Sequence, residues 1–463
     1  MKNKSSILFI FTCIVVCFLL LYGGCEPRKF CPFPEDMDFE GIAPLSDNLQ
    51  TDIYIDASFS MVGFVNPGNS YYARTLQLLE RAIIAGWPKG SRTFYKFGAI
   101  INEISREQAL EAAFRGFYCD PDFKSETRIE SVIDNAAKDN LNIIVTDLFQ
   151  MDADVNLLIE KLNQKFLSKE ISVGVFGIKS QFRGRVWDVG LESLNFHYDT
   201  DGREPAEYRP FYLLILGKYN DIVHFYKMMR YNGLDSFQGK NFIIFSPQLV
   251  ERLATFENSK IKPGKVTQVL KILENSQKRR HLKQFMVNNS SSEHYFESSI
   301  PITFLDHMVQ FNPQKICMEI SAWQWMANLK KRKGNTKKKQ ENPMSGKMIP
   351  SGEVLRAIAI KNIGIAGSQL KFKTEIDPNG FPEDGTYCFK IVFQSLSDSC
   401  SLPQWISGWD MDQNQISTWS ENPQQFPGNT TLNLKSFLNN IWQIIYRKHK
   451  PKIAKLYFYI EKG

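Results

Sequence analysis

Between Asp52 and Ser246, apolar runs of strand length alternate with segments that carry the helical period. The strand-like runs are DIYID, TFYKFGAI, LNIIVTD, ISVGVFGI and PFYLLILG. The helical segments are YYARTLQLLERAIIAGW, RIESVIDNAAKD, DVNLLIEKLNQKFLSK and YNDIVHFYKMMR. Apolar strands separated by helices are typical of a mainly parallel sheet that is covered on both faces. The sequence therefore predicts an α/β fold with a doubly wound, mainly parallel sheet.

The pattern changes after residue 247. Residues 248–295 are polar and rich in lysine, which predicts a helical linker. Residues 296–463 contain runs such as LKFKTEI and TYCFKIVFQSL, in which apolar and polar side chains alternate with the period of a strand. One late helical segment, LNLKSFLNNIWQIIYRK, precedes a last strand, AKLYFYIEK. We expect a separate β-rich, sandwich-like domain over residues 296–463.

The chain begins with the pattern of a secretory signal. Lys2 and Lys4 precede an apolar run from Ile7 to Leu21, which is shorter than the roughly 20 residues of a membrane span. The sequence YGGC, ending at Cys25, resembles the lipobox of bacterial lipoproteins. That resemblance implies a signal peptide over residues 1–24, acylation of Cys25 and a tether over residues 25–50. The protein would then be lipid-anchored to a membrane of the bacterial cell envelope, outside the cytoplasm. An uncleaved N-terminal anchor helix is the alternative.

Charge is concentrated in one segment. The formal net charge is +7, and the leader contributes two lysines and no acid. The run KKRKGNTKKK, from Lys330 to Lys339, carries seven positive charges, so the remainder of the mature chain is close to neutral. This distribution gives no electrostatic reason to expect nucleic-acid binding. The run itself is expected to be a solvated loop, with a patch for an acidic lipid or polymer as the alternative.

Acidic and hydroxyl side chains follow two of the predicted buried strands. The strand in TDIYIDASFSM ends at Asp56 and is followed by Ser58 and Ser60, whereas LNIIVTD ends at Asp147. The carboxyl ends of parallel strands meet at one edge of a sheet, where ligands bind in folds of this kind. Carboxylate and hydroxyl oxygens are hard ligands that suit Mg²⁺. Hard oxygen ligands are therefore expected together at this edge.

The motif DASFS resembles the Asp-x-Ser-x-Ser sequence of the von Willebrand factor A domain, a Rossmann-like fold with a metal-ion-dependent adhesion site. The resemblance covers roughly residues 51–247. It implies that Thr127, in KSETRIESVID, and Asp147, in IIVTDLF, complete the metal site. Two departures are evident: Thr127 lacks the usual preceding glycines, and Leu148 occupies a position where glycine is common.

The resemblance also implies a function. Asp56, Ser58, Ser60, Thr127 and Asp147 would hold Mg²⁺, or Mn²⁺ or Ca²⁺, with some of the ligands acting through water. An Asp or Glu of a protein partner would complete the coordination, so binding would depend on metal. No catalytic residue is assigned on this interpretation.

Other interpretations remain open at this stage. Ser58, Ser60 and Thr127 can each be helix caps, and Thr127 with Glu130 has the spacing of a capping box. Two aspartates that hold Mg²⁺ can instead serve phosphoester hydrolysis. A structural protein with a degenerate site is a third possibility. The sequence contains no HExxH, GxSxG, GxGxxG or Walker motif, and its widely spaced cysteines lack a CxxC pair.

Overall fold

The computed structural model describes most of the chain beyond residue 40. The described residues are 41–124, 127–148, 155–169, 171–187, 195–264, 266–269, 282–288, 294–311, 315–327, 346–396, 400–411, 414, 416–422 and 425–463. The predicted signal peptide, Cys25, most of the tether and the basic run of residues 330–339 lie outside these ranges. None of the described helices is long and apolar enough to cross a membrane.

The described α-helices are α1 Val62–Val65, α2 Tyr71–Gly86, α3 Arg106–Leu110, α4 Pro121–Lys124, α5 Ile129–Asn135, α6 Val155–Lys165, α7 Tyr219–Tyr231, α8 Gln404–Trp409, α9 Ile416–Glu421 and α10 Leu434–His449. The strands of the first half are β1 Gln50–Asp56, β2 Ser91–Phe97, β3 Ile101–Ile104, β4 Leu141–Thr146, β5 Ser172–Ser180, β6 Arg183–Val186, β7 Phe196–Asp199, β8 Arg209–Gly217 and β9 Lys240–Phe245. The later strands are β10 Lys260–Pro263, β11 Thr267–Val269, β12 Leu282–Val287, β13 His294–Pro301, β14 Gln310–Phe311, β15 Ile316–Ala327, β16 Gly346–Pro350, β17 Ile358–Ala366, β18 Gln369–Ile376, β19 Gly385–Ser395, β20 Cys400–Ser401, β21 Asp410–Met411, β22 Thr431–Leu432 and β23 Lys452–Lys462.

A seven-stranded sheet forms the centre of the first half, in the order β3-β2-β1-β4-β8-β5-β9. Strand β1 pairs in parallel with β2 and β4, whereas β3, β8, β5 and β9 join through antiparallel pairings. The expected α/β fold with a large central sheet is confirmed, but the sheet is mixed and not mainly parallel: its parallel pairing is confined to β1, β2 and β4.

The direction of β8 explains this mixed character. Strand β5 leads into a polar excursion that contains the hairpin β6–β7, and the chain then returns as β8. Among the described residues of this connection, no α-helix carries the chain back across the sheet. Strand β8 therefore starts at the edge where β5 ends, and the two strands pair antiparallel.

Successive strand residues point to opposite faces of the sheet, so apolar side chains lie on both faces. Helices cover both faces. Ile53 and Ile143 belong to one hydrophobic core together with residues of α2 and α7. Tyr54 and Ile144 belong to the other core, which includes residues of α5 and α6. Apolar side chains on both faces match the unbroken burial of β4 and β8.

The second half contains two further sheets, as the expected β-rich character required. The first is the four-stranded sheet β10-β13-β18-β17, and the second is the six-stranded sheet β11-β12-β23-β19-β15-β16. Their inner faces meet: the rings of Phe285 and Phe296 stack with centroids 4.1 Å apart, and Phe372 contacts Phe393 at 5.1 Å. The two sheets thus form a sandwich.

The predicted helical linker over residues 248–295 is wrong in its secondary structure. The described part of this segment contains β10, β11, β12 and the start of β13. Strand β12 pairs in parallel with β23, which lies far away in sequence. Lysine-rich segments have good intrinsic helix propensity, but non-local pairing overrides this weak preference. The predicted domain boundaries themselves stay predictions.

Helix α10 belongs to the packing of the first half even though it lies near the end of the chain. Leu438, Ile441 and Ile445 are fully buried, in the same core as Leu162 of α6 and Ile243 of β9. The strand that follows α10, β23, lies between β12 and β19 in the six-stranded sheet. One hydrophobic core therefore continues from the central sheet into the sandwich.

Candidate metal site at the ends of β1 and β4

Asp56 is the last residue of β1 and is completely buried. One carboxylate oxygen accepts a hydrogen bond from the backbone N–H of Ser58 at 2.9 Å. The other accepts a hydrogen bond from the hydroxyl of Thr146, the last residue of the neighbouring strand β4, at 2.8 Å. Both oxygens are therefore oriented by the ends of two adjacent parallel strands.

Ser58 and Ser60 lie in the turn that follows β1. Both side chains are buried, and their hydroxyl oxygens are 3.0 Å apart. Ser58 precedes the short 3-10 helix Phe59–Met61, but its side chain makes no capping hydrogen bond. The capping interpretation of Ser58 is therefore wrong, and the two hydroxyls interact with each other beside Asp56.

Thr127 is 2% exposed and lies two residues before Ile129, the first residue of α5. The N-cap of α5 is Arg128, and the hydroxyl of Thr127 makes no hydrogen bond within the described part of the chain. The capping box predicted for Thr127 is therefore not formed. A buried hydroxyl without a hydrogen bond costs free energy, roughly 1–3 kcal/mol, so a bound cation or water would stabilise it.

Backbone contacts place the Thr127 segment at the same edge of the sheet as Asp56. The N–H of Arg128 donates to the carbonyl of Gly98 at 3.2 Å, and Gly98 directly follows β2. Strand β2 is the parallel neighbour of β1, with Phe97 opposite Asp56. Thr127 therefore comes from a loop that is anchored at the carboxyl end of the adjacent strand.

Asp147 directly follows β4 and is completely buried. Because Val145 lies opposite Ile55 in the parallel pairing, Asp147 lies one residue beyond the level of Asp56. Leu148 has a backbone φ of +63°. Glycine adopts this left-handed conformation without the steric cost that a leucine side chain incurs.

The electrostatic state of Asp56 reflects this burial. The pKa of Asp56 is raised to about 7, chiefly by loss of hydration and then by the nearby charge of Asp147. Hydrogen bonds from Ser58 and Thr146 oppose the rise without cancelling it. Two carboxylates buried together favour either a shared proton or a cation. A cation, or a proton shared between the two carboxylates, would offset their repulsion.

Arg209, which the sequence did not single out, lies beside Asp147. Its guanidinium is 1% exposed and forms a long ion pair, 3.9 Å, with the carboxylate of Asp147. It also donates to the carbonyls of Gly428 at 3.3 Å and Thr430 at 3.4 Å. Arg209 is the first residue of β8, so only the antiparallel direction of that strand brings it to the end of β4. Arg128, which adjoins Thr127, is exposed.

Two buried tyrosines lie close enough to the carboxylates for their pKa values to be affected. The hydroxyls of Tyr72 and Tyr118 are 2.9 Å apart, and Tyr118 donates to the carbonyl of Ala112 at 2.6 Å. Burial raises the pKa of both tyrosines, and the charge of Asp56 adds to the effect. Both phenols therefore stay neutral near physiological pH.

The structure thus brings Asp56, Ser58, Ser60 and Asp147 to the joined ends of β1 and β4, and places the Thr127 loop on the same edge. Among the described residues, no group of three or more His, Cys, Asp or Glu side chains could hold a metal ion. A metal at this edge would thus depend on hydroxyl oxygens as well as two carboxylates. Comparisons with protein-family models, with curated proteins and with solved structures found no match for this chain.

Proposed function

We propose that this protein binds a divalent cation, Mg²⁺ or else Mn²⁺ or Ca²⁺, at Asp56, Ser58, Ser60, Thr127 and Asp147. The observation that carries the proposal is the burial of two carboxylates at adjacent strand ends, together with the hydroxyl of Thr127 that makes no hydrogen bond within the described chain. Hard oxygen ligands of this kind suit Mg²⁺, which keeps several waters and prefers octahedral geometry.

The bound cation would then recruit a protein partner. With two acids and three neutral hydroxyls around it, and with Arg209 opposing the charge of Asp147, a divalent ion retains positive character. An Asp or Glu of the partner can replace one of its waters. We propose that the α/β half is a von Willebrand factor A-like module that uses this exchange for adhesion, with no catalytic role.

The proposed location is the bacterial cell envelope, outside the cytoplasm, with Cys25 carrying a lipid. Support comes from the order of the leader: two lysines, a short apolar run and the sequence YGGC. In that arrangement the tether of residues 25–50 would hold the adhesive module at a membrane surface.

The direct test is to titrate the purified protein, without residues 1–24, with Mg²⁺, Mn²⁺ and Ca²⁺. Calorimetry measures the binding, and thermal unfolding measures the stabilisation. A ligand that binds only the folded state at 100 times its dissociation constant stabilises it by about 2.7 kcal/mol. Ser58→Ala and Ser60→Ala should each weaken the binding of the cation. Ser105→Ala is the matched control, because Ser105 caps α3 away from the site. It should lower stability but leave the affinity for the cation unchanged. Absence of any heat or stabilisation with all three ions would refute the proposal.

A second candidate is a structural role in which no metal binds. The buried guanidinium of Arg209 favours it, because it already supplies one positive charge beside Asp147. The two candidates differ in their response to chelation. Capture of envelope proteins that is unchanged in EDTA, together with unchanged thermal stability, would favour the structural role.

A further inference from the structure

The outer face of the four-stranded sheet carries a concentration of lysines. Cross-strand pairing places Lys260, Ser299 and Lys371 in one row across β10, β13 and β18. The next row along the strands contains Lys262, Glu297 and Lys373. These side chains point away from the core, because the alternate residues Phe296, Ile300 and Leu370 are buried. The face therefore presents these four lysines around Glu297, with Lys361 and Glu375 beside them.

Most of this charge is not neutralised by the protein. Within the described residues, Lys260, Lys262 and Lys371 form no ion pair. Lys373 differs, because it contacts Glu375 at 2.8 Å and lies 4.3 Å from the ring centroid of Tyr295. Within that part of the chain, three lysines without an ion pair thus remain on this face, beside Glu297.

The lysines surround a cavity rather than a flat surface. An open cavity of about 420 Å³ is lined by all four lysines together with Glu297, Ser299 and Asn362. Asn362 has a backbone φ of +54° and lies at a shift in register between β17 and β18. Such bulges bend a strand, and they are frequent beside binding sites. The cavity volume lies in the range that small-molecule sites occupy.

We propose that this cavity, which we call the lysine groove, binds a small molecule with two or more phosphate or carboxylate groups. Lysine ammonium groups bind such anions as point charges. Lys260 and Lys371 lie on either side of β13, so their backbones are about 10 Å apart. A single phosphate is too small to contact both sides fully, whereas a ligand with two separated anionic groups can bridge them.

The proposal is independent of the cation site, because the lysine groove lies in the sandwich and shares no residue with the ends of β1 and β4. It also does not require the basic run of residues 330–339. An anion bound by the lysine groove would give the C-terminal half a binding activity of its own.

Inositol hexakisphosphate and inorganic phosphate are suitable probes, titrated into the soluble chain by calorimetry at low ionic strength. We expect inositol hexakisphosphate to bind more tightly, with an affinity that falls as salt is added. The double variant Lys260→Gln, Lys371→Gln should lose roughly tenfold in affinity. The control Lys89→Gln, Lys169→Gln removes two exposed lysines elsewhere and should retain the affinity of the original chain.

A variant that gains affinity separates binding from folding defects. Glu297 is the acid in the lining of the lysine groove, so Glu297→Gln should increase the affinity for inositol hexakisphosphate severalfold. Equal affinity of the original chain and both lysine-groove variants would overturn the proposal, as would no binding of the probe at all. A weak effect equal to that of the Lys89, Lys169 control would also overturn it.

The anionic groups can belong to a soluble molecule or to a lipid headgroup, and vesicles distinguish these sources. The protein should be mixed with neutral phosphatidylcholine vesicles and, separately, with phosphatidylcholine vesicles that also contain phosphatidylinositol phosphate. Binding to the anionic vesicles that the Lys260, Lys371 variant loses would assign a headgroup. Binding of inositol hexakisphosphate without vesicle binding would assign a soluble ligand.

Discussion

Asp56 is held in place by hydrogen bonds that orient its carboxylate but do not replace its hydration. One oxygen receives the N–H of Ser58 and the other receives the hydroxyl of Thr146. Transfer of a carboxylate into a protein interior costs several kcal/mol unless it is neutralised. The raised pKa of Asp56 is the expression of that cost. A cation in contact with Asp56 would relieve it, and this is why the residue is central to the proposed function.

The stability of the cation-free protein should therefore depend on pH in a specific direction. The pKa of Asp56 is about 7 in the folded chain, against an ordinary value of 3.8. The folded state then binds more protons than the unfolded state between these values, so stability falls as pH rises from about 4 to 7. The amplitude is roughly 2–4 kcal/mol. Chemical denaturation in EDTA at pH 5 and pH 8 measures it.

Two comparisons check the origin of this dependence. Asp56→Asn cannot ionise, so the fall in stability between pH 5 and pH 8 should be smaller in that variant. Excess Mg²⁺ should also reduce the fall, because cation binding requires the ionised carboxylate and becomes tighter with rising pH. An identical pH profile for Asp56→Asn and the original chain would contradict the assignment of the raised pKa.

The position of most candidate ligands at the sheet edge could be predicted from the sequence, whereas the position of Arg209 beside them could not. Asp56, Ser58 and Asp147 follow strands whose burial is evident from their apolar runs, so their position at a sheet edge follows from the fold class. Arg209 precedes an equally apolar strand, but its position depends on the direction of β8. No local pattern encodes that direction. It depends on the polar excursion between β5 and β8, which lacks the periodicity that would indicate a crossover helix.

Arg209 connects the cation site to the C-terminal half. Arg209→Met would leave Asp147 without its ion pair and would remove the hydrogen bonds to Gly428 and Thr430. Loss of one partner of a buried ion pair costs roughly 3–5 kcal/mol. We expect a loss of that size in EDTA, and a larger stabilisation by Mg²⁺ than in the original chain. Thermal unfolding with and without Mg²⁺ measures both effects.

An exposed arginine provides the control for that experiment. Arg203 pairs with Glu207 at 3.3 Å, and both side chains are more than 40% exposed. Arg203→Met should therefore change stability by less than about 1 kcal/mol. Equal losses for Arg203→Met and Arg209→Met would show that Arg209 has no special role at the site.

At the scale of elements, the loop that carries Thr127 depends on a close approach of two backbones. A Cβ atom at Gly98 would lie 2.1 Å from the carbonyl oxygen of Phe123, so Gly98→Ala must displace one of the two segments. Overpacking of this kind costs roughly 1–3 kcal/mol. We also expect weaker cation binding, because Arg128 hydrogen-bonds to Gly98 and Thr127 adjoins it. Calorimetric titration with Mg²⁺ compares the variant with the original chain.

Gly116→Ala is the matched control for this loop, since nothing lies within 4 Å of a Cβ built there. It should leave Mg²⁺ affinity unchanged. If Gly98→Ala also retains the original affinity while losing stability, Thr127 does not contribute to cation binding.

Two elements show where sequence patterns stop being informative. Strand β12 comes from a lysine-rich segment that resembles a surface helix, and it becomes a strand because β23 offers it a partner. Helix α10 has a clear helical period, so its existence is predictable. Its location is not, because its apolar face packs against α6 and β9, which lie far away in the sequence.

The packing of α10 has a consequence for the whole molecule. Helices α5 and α6 pack on one face of the central sheet, and α10, from the other end of the chain, packs against α6 and β9 in the same core. A core shared in this way couples the two halves energetically. The chain should therefore unfold as one cooperative unit, although its sequence pattern suggests separate domains.

This coupling predicts the behaviour of a cavity in α10. Ile441 is fully buried, so Ile441→Ala should cost roughly 2–5 kcal/mol. Native-state hydrogen exchange should then show a similar loss of protection for amides in β4 of the central sheet and in β19 of the sandwich, because both open through the same global transition. Ile349 is 38% exposed, so Ile349→Ala should lower the exchange protection of both sets of amides by less than Ile441→Ala does. Loss of protection confined to one half would instead mean that each half unfolds independently and that α10 stabilises only its immediate neighbours.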